Sequence, residues 1–79
     1  MKKLKERRMA AGLSQSQLAE KTGINVRVIQ HYEQGTKNFD HARIDKILNV
    51  CLVLNCELKD ILESDEYIKL YKDYKKSML

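Results

Sequence analysis

The segment from Leu13 to Gly35, LSQSQLAEKTGINVRVIQHYEQG, contains several glutamines, an arginine and a histidine. Arginine offers parallel N–H donors, while glutamine and histidine can each donate and accept. These groups suit the recognition of a partner. Bond-making chemistry is not indicated, because His31 and His41 have no nucleophile or paired carboxylates nearby and there is no phosphate-binding glycine loop. We therefore expect a binding protein with no catalytic residues rather than an enzyme.

The two cysteines do not suggest a metal site. Cys51 and Cys56 form no Cys-x-x-Cys pair and have no clustered histidines nearby, so neither a metal nor a cofactor is expected. Both lie in an apolar region and are expected to be buried, reduced thiols. The basic start MKKLKERR precedes no apolar signal region, and no apolar run is long enough to cross a membrane. We therefore expect a cytoplasmic protein.

The composition predicts one small helical domain whose positive charge is unevenly spread. The 79 residues include no proline and only three glycines. Residues 1–37 carry eight lysines and arginines against three acidic residues, whereas residues 38–79 carry seven against eight. This distribution is typical of a face that approaches a polyanion, although a solvated basic surface without a partner has the same composition.

Capping residues and a glycine predict three helices in the basic half. The first covers about residues 2–11. The second begins at Ser14, which fits a capping box with Gln17. Gly23 then lets the chain turn through a positive φ angle, and Asn25 is a suitable N-cap for the third helix.

The third helix has an inner and an outer side. Val28 or Ile29 precedes Tyr32 at the spacing of a buried stripe. The outer side and its edges then carry Val26, Arg27, Gln30 and His31. Two short helices joined by a glycine turn, with hydrogen-bonding side chains exposed on the second, have the geometry that places a helix in the major groove of DNA.

Two further helices are predicted between residues 40 and 62. Asp40 is the expected N-cap of the fourth helix, whose inner face is expected to carry Ile44, Ile47, Leu48, Cys51 and Leu52. Asn55 can end this helix in a left-handed conformation. A short fifth helix over about residues 57–62 offers Leu58, Ile61 and Leu62 to the core.

Residues 63–79 form a distinct tail with four acidic residues and four lysines. Its apolar residues recur at helical spacing: Tyr67, Leu70, Tyr71, Tyr74 and Met78. An apolar stripe must be covered. This amphipathic helix therefore either packs on its own domain or contacts another molecule.

The run LKERRMAAGLSQSQLAEKTGINVRVIQHYEQG, followed by a helical pair ending in NCELKDIL, resembles the Cro/repressor (XRE-like) type of helix-turn-helix DNA-binding regulator. The resemblance covers residues 4–62. The positions that carry it are GLSQ at residues 12–15, QLA at residues 17–19, Gly23, Ile29, and Glu33 with Gly35. It implies an all-α fold, a five-helix lambda-repressor-like DNA-binding domain over residues 1–62. The helical spacing of residues 63–79 adds a C-terminal helix, which is a possible dimerisation element.

The resemblance also implies double-stranded DNA as the partner and assigns roles to individual residues. The positions that match base contacts are Gln15, Val26, Arg27, Gln30 and His31. Contacts with the DNA backbone are expected from Ser14, Ser16, Lys37 and Asn38, the two serines because the start of a helix favours a phosphate. Arg8 and Glu33 match a structural ion pair that ties the first helix to the end of the third.

Several of these residues have a second interpretation. Arg27 either forms a bidentate contact with O6 and N7 of guanine or contacts a phosphate or water. Val26 contacts a thymine methyl group or packs on the second helix, and His31 and Gln30 reach the DNA or remain solvated. Weaker attraction to phosphates, or no contact at all, is expected of Lys2, Lys3 and Arg43.

Three positions depart from the family pattern. Phe39 stands where the family often has a proline, so the entry into the fourth helix is expected to differ. Glu57 replaces the usual Ser or Thr cap of the fifth helix, and Val26 occupies a position where polar residues are frequent. The fold is not threatened by these changes, but the DNA sequence that is read becomes harder to infer.

The function implied by the resemblance is sequence-specific transcriptional regulation, by a repressor that binds a palindromic operator as a homodimer. The tail is the candidate dimer contact. An alternative is the antitoxin of a toxin–antitoxin pair, whose residues 63–79 bind a protein partner while the domain represses their shared operon. A third is a helix-turn-helix domain used only to bind protein.

Overall fold

The computed structural model describes residues 2–78, with the backbone alone for Lys2. Its helices are α1 (Lys2–Ala10), α2 (Gln15–Thr22), α3 (Val26–Gln34), α4 (Ile44–Leu54), α5 (Leu58–Ile61) and α6 (Asp65–Ser77), and a 3-10 turn, Phe39–His41, precedes α4. Residues 2–78 contain no strand. The predicted all-α architecture, five helices followed by a C-terminal helix, is confirmed. Within the same residues, none of the helices is long and apolar enough to cross a membrane.

The turn between α2 and α3 is set by local sequence. The Ser14 hydroxyl accepts from the Gln17 backbone N–H at 3.1 Å, and the Gln17 side chain accepts from the Ser14 N–H at 2.8 Å. Gly23 ends α2 at a φ of 75°, a conformation that strains any residue with a Cβ atom. The Asn25 side chain then caps α3 by accepting from the Arg27 N–H at 2.8 Å. Both predicted caps and the predicted glycine turn are confirmed.

One apolar core joins the first five helices. Its most deeply buried side chains come one from each element: Leu4, Leu18, Ile29, Phe39, Val50 and Ile61. Phe39 lies edge-on to Tyr32, with ring centroids 5.1 Å apart, a geometry that aromatic pairs favour. The chain therefore enters α4 through a buried aromatic ring at the position where the family often has a proline.

The expected cap of the fourth helix is wrong. Asp40 lies inside the 3-10 turn, which Asn38 caps by accepting from the Asp40 N–H at 3.0 Å. The helix α4 begins only at Ile44, and Arg43 at its N-cap makes no side-chain capping bond. The Asp40 carboxylate instead accepts hydrogen bonds from the backbone of residues 63 and 64. Its partners are 23 and 24 residues away in the chain, beyond the reach of any local capping rule.

The predicted inner face of α4 is also partly wrong. Ile47 and Cys51 are buried as expected, together with Val50 and Leu54. The other three residues of the predicted stripe are largely exposed: Ile44 at 62%, Leu48 at 51% and Leu52 at 78%. Because α4 is apolar over most of its circumference, its periodicity leaves the rotation of the helix undetermined. Contacts with α2 and α5 choose the face that is buried.

The short helix α5 is capped from within. The Asp60 carboxylate accepts from the Glu57 backbone N–H at 2.9 Å, and the Asp60 N–H donates to the Glu57 carbonyl at 2.9 Å. The fifth helix lacks the usual Ser or Thr cap, as the sequence indicated. The Asp60 carboxylate, three positions after Glu57, binds the backbone at the start of the helix instead.

The two cysteines are free thiols next to each other at the end of α4. Cys51 is buried and Cys56 is half-buried. Burial, together with the neighbouring Cys56, raises the pKa of the Cys51 thiol to about 12. Since the thiolate is the reactive form, Cys51 is unreactive at neutral pH.

The tail helix α6 packs against α5 with only part of its apolar stripe. Tyr67, Ile68 and Tyr71 are half-buried, and no described residue of the helix is fully buried. The remaining apolar residues stay exposed: Leu70 at 67%, Tyr74 at 58% and Met78 at 68%. We call these three residues the tail stripe. Part of the tail therefore packs on its own domain, which was one of the two alternatives. The domain leaves the tail stripe uncovered.

Candidate nucleic-acid interface

The outer side of α3 presents the side chains that the sequence singled out. Arg27 and His31 are exposed and lie one helical turn apart on the same face. Val26 and Gln30 are half-buried at its edges. On the opposite side, Ile29 and Tyr32 are buried in the core. The predicted division of α3 into an inner and an outer side is therefore observed. Of the two candidates for the buried stripe, Ile29 is buried and Val28 is half-buried.

A buried polar network holds α3 against the first two helices. Arg8 donates to both carboxylate oxygens of Glu33, from Nε at 2.7 Å and from NH2 at 3.0 Å. Its remaining nitrogen NH1 donates to the Leu13 carbonyl at 2.7 Å. Gln15 donates from Nε2 to Glu33 Oε1 at 3.0 Å. Three helices therefore meet at one carboxylate, and the end of α3 is fixed relative to the start of α2.

The protonation of Glu33 follows from this network. Burial disfavours the charged carboxylate, but the hydrogen bonds from Arg8 and Gln15 and the charge of Arg8 outweigh burial and lower the pKa of Glu33 below 4.5. The side chains of Arg8 and Glu33 are only 10% and 3% exposed. Glu33 therefore stays charged at neutral pH, and its pair with Arg8 is largely shielded from solvent.

The Gln15 side chain is part of the buried network and is also partly accessible at the surface, which the sequence did not reveal. One amide N–H is directed at Glu33, which fixes the plane of the half-buried side chain. The second N–H and the carbonyl oxygen belong to the same rigid amide. Gln15 is therefore a pre-oriented donor–acceptor group at the first residue of α2 rather than a freely rotating surface side chain.

The first turns of α2 and α3 both favour an anion. Neither contains an acidic residue, so the positive ends of the two helix dipoles are not neutralised there. Ser14 uses its oxygen as the cap of α2 and keeps its hydroxyl proton available as a donor. Ser16 is exposed two residues further on. The arrangement suits a phosphate group at this edge.

The ring of His31 is oriented by a residue that the sequence reasoning missed. Thr36 Oγ1 lies 2.7 Å from His31 Nδ1, and the same hydroxyl is 3.2 Å from the His31 carbonyl oxygen. This contact occupies Nδ1, so Nε2 is the nitrogen of His31 that can reach a partner. Its only sequence signal is that Thr36 directly follows the glycine that ends α3.

The loop after α3 places Lys37 and Asn38 at the surface. Both are exposed. Asn38 uses its carbonyl oxygen to cap the 3-10 turn, which directs its amide N–H donors away from the turn. A cation and an amide donor thus follow directly after the end of α3.

Two of the three basic residues for which only weak phosphate attraction was expected are engaged within the protein itself. Lys3 donates from Nζ to the Leu62 carbonyl at 2.9 Å, so its ammonium group is engaged at the root of the tail. Arg43 forms an exposed ion pair with Asp45 at 3.2 Å. The side chain of Lys2 lies outside the described residues. Of the basic residues expected to contact DNA, Arg27 is exposed on α3 and Lys37 is exposed in the loop that directly follows it.

Comparison with known proteins identifies the family. The family model described as helix-turn-helix matches residues 4–60, more than two thirds of the chain. No curated protein and no solved structure gave a significant match. The matched residues span α1 to α5 and include the whole Arg8–Glu33–Gln15 network. The chain belongs to the helix-turn-helix family and is a DNA-binding transcriptional regulator of the Cro/repressor (XRE) type.

Proposed function

We propose that this protein is a sequence-specific repressor that binds a palindromic operator as a homodimer. The observation that carries the proposal is the exposed pair Arg27 and His31 on a helix whose end is held by a buried ion pair. A fixed helix loses little conformational freedom when it enters the groove. Occupying the operator would exclude the polymerase from the promoter.

The exposed face of α3 supplies the base contacts in this proposal, which makes α3 the recognition helix. Arg27 donates two N–H groups to O6 and N7 of guanine, a contact that discriminates against other bases by about 1–3 kcal/mol. Val26 contacts a thymine methyl group, and His31 and Gln30 contact neighbouring base edges. Gln15 adds its oriented amide from the start of α2. These five side chains form the proposed reading surface.

Contacts with phosphates position the reading surface. Ser14 and Ser16 lie at the positive end of α2, while Lys37 and Asn38 follow α3. Such contacts carry no sequence information, but they set the register of the protein on the duplex. They also make affinity fall steeply as salt concentration rises, because bound counterions are released.

The tail stripe is the proposed dimer contact. Leu70, Tyr74 and Met78 follow one another at four-residue spacing and are more than half exposed. The first turn of α6 carries two acidic residues and its last turn carries two lysines. Two copies of α6 packed antiparallel across a two-fold axis would therefore bring acidic ends next to basic ends. This charge pattern favours a second copy of the chain over an unrelated partner.

Selection of bound duplexes from a random DNA pool tests the proposal. We expect an enriched motif with inverted symmetry and binding that weakens steeply with added salt. An enriched motif without inverted symmetry would contradict the dimer, and the absence of any enrichment would contradict sequence-specific binding.

Sedimentation of the full-length protein tests the dimer contact without DNA. Leu70→Glu and Tyr74→Glu are expected to convert a dimer into a monomer, because each places a charge within the stripe. Lys72→Glu is the matched control, since Lys72 is exposed and lies outside the stripe. A dimer that survives both stripe variants would exclude this contact and would leave the antitoxin alternative, with a foreign protein on the tail, to be tested by co-purification with a neighbouring toxin.

A further inference from the structure

The start of the tail, at residues 63 and 64, is hydrogen-bonded to Asp40 in the turn that follows α3. The two carboxylate oxygens of Asp40 accept from two successive backbone N–H groups, Oδ1 from Glu63 at 3.1 Å and Oδ2 from Ser64 at 2.7 Å. Ser64 is the N-cap of α6 and accepts from the Tyr67 N–H at 3.3 Å. One carboxylate therefore holds the position from which α6 starts.

A second contact lies one residue further on. The Tyr67 hydroxyl is 2.9 Å from His41 Nε2, and the two rings are tilted toward each other with centroids 5.8 Å apart. On the side of α1, the Glu63 carboxylate accepts from the Lys3 backbone N–H at 2.8 Å, and Lys3 Nζ donates to the Leu62 carbonyl. The chain from Leu62 to Tyr67, which leads into α6, is thus held at several points.

The same segment is rigidly joined to α3. Asp40 donates its backbone N–H to Asn38, a residue of the proposed phosphate-contacting loop. Phe39, between them, is fully buried and packs on Tyr32 of α3. A three-residue turn, Phe39–His41, therefore connects the recognition helix on one side with the start of the tail on the other.

The length of α6 amplifies any change at this turn. With 13 residues, the helix is roughly 20 Å long. A rotation of about 10° at its root moves its far end by about 3.4 Å, which is the rise of one base pair. In a dimer that pairs through α6, the direction of the tail therefore determines how far apart the two recognition helices lie.

We propose that Asp40 is a positioning residue that sets the angle between α3 and α6, and through it the distance between operator half-sites that the dimer accepts. His41 supports the same angle through Tyr67. The inference rests on the proposed function, specifically on dimerisation through the tail stripe. A residue with a purely structural role would change binding to all operators equally, whereas a positioning residue changes which spacing is preferred.

The test uses the full chain and a set of duplexes that carry two copies of the selected half-site. Their centre-to-centre distance is varied in steps of one base pair, each of which also rotates one half-site by about 35°. Affinities are measured for the wild type, for Asp40→Asn and for Tyr67→Phe, together with affinity for a single half-site. Asp73→Asn is the matched control, because Asp73 is an exposed carboxylate on the same helix.

We expect the wild type and Asp73→Asn to lose about tenfold or more in affinity at one base pair from the best spacing. An amide in place of the Asp40 carboxylate offers one acceptor oxygen where two N–H groups need one each. Asp40→Asn is therefore expected to retain single half-site affinity while its spacing preference falls below about threefold. Tyr67→Phe, which removes only a hydroxyl group, is expected to relax the preference partially and keeps the test valid if Asp40→Asn unfolds.

Two results would overturn the inference in distinguishable ways. A sharp spacing preference in the wild type that is unchanged in both variants would show that Asp40 and Tyr67 do not set the spacing, while the dimeric repressor would stand. Equal affinity of the wild type for all spacings and for a single half-site would show that no dimer spans the operator, and the proposed function would fail together with the inference.

Discussion

The attachment of α3 to the domain and the attachment of α6 differ in burial. At α3, Arg8 and Glu33 form a bidentate pair whose side chains are 10% and 3% exposed. At the far end of α6, Lys75 reaches Glu57 at 3.1 Å with both side chains close to half exposed. A buried charged pair is costly to disrupt, whereas an exposed pair contributes little and is screened by salt. The end of α3 is therefore held by a buried pair, whereas the far end of α6, beyond its anchored start, is held by an exposed pair that is easily altered.

Arg8→Ala should cause the largest loss of stability among the variants that test this difference in burial. It leaves the Glu33 carboxylate buried without its main partner, and breaking such a pair costs about 3 kcal/mol or more of the free energy of unfolding. Because the end of α3 is then less fixed, DNA affinity is expected to fall as well. Urea denaturation and DNA titration measure both effects.

The neighbouring arginine provides the control for this variant. Arg7 pairs with Asp60 at 3.3 Å, with side chains 46% and 24% exposed, so Arg7→Ala is expected to cost less than about 1 kcal/mol. Equal stability and equal DNA affinity of Arg8→Ala and the wild type would show that the buried network does not hold the recognition helix.

Glu33→Gln should reveal the charge of the buried pair through the pH dependence of the free energy of unfolding. In the folded protein the pKa of Glu33 lies below the value of 4.5 that it has when exposed. Between these two values the unfolded chain binds more protons, so the stability contributed by the Glu33 carboxylate is present above pH 4.5 and is lost as pH falls through the folded pKa. We expect the wild type to be more stable than Glu33→Gln at pH 7 and the difference to shrink on acidification.

Urea denaturation of both proteins from neutral pH to about pH 3 measures this difference. Glu6→Gln is a suitable control because Glu6 is exposed on α1. A stability difference that stays constant over the whole range would contradict the lowered pKa of Glu33.

Lys75→Ala should have the smallest effect. The ion pair with Glu57 is exposed, so its loss is expected to change the midpoint of thermal unfolding only slightly, and less at high salt than at low salt. A loss of stability as large as that of Arg8→Ala, and insensitive to salt, would show that the tail is held as firmly as the recognition helix.

Local chemistry made much of this fold predictable. The Ser14 capping box, the Gly23 turn and the Asn25 cap depend on residues within a few positions of one another, and all three form as the sequence indicates. The division of α3 into a buried and an exposed side followed from its periodicity, because Val28, Ile29 and Tyr32 fall on one side of the helix. The family resemblance supplied the pairing of Arg8 with Glu33, which lie 25 residues apart.

Features that depend on distant partners were not predictable in the same way. Asp40 is a plausible cap by its type, but its real partners are brought to it only by the folding of the tail. The rotation of α4 was undetermined because apolar residues such as Leu52 and Leu54 lie on both sides of it. The bond from Gln15 to Glu33 joins two helices, so neither helix alone contains a signal for it.

The most direct test of the reading surface is the affinity of Arg27→Ala for the selected operator and for each single-base-pair substitution within a half-site. We expect the wild type to discriminate by about 1–3 kcal/mol at one guanine-containing position, and Arg27→Ala to lose discrimination at that position while keeping it elsewhere. Lys69→Ala, which removes an exposed positive charge from α6, should leave the pattern unchanged. A pattern for Arg27→Ala identical to that of the wild type would contradict the assignment of α3 as the helix that reads DNA through Arg27.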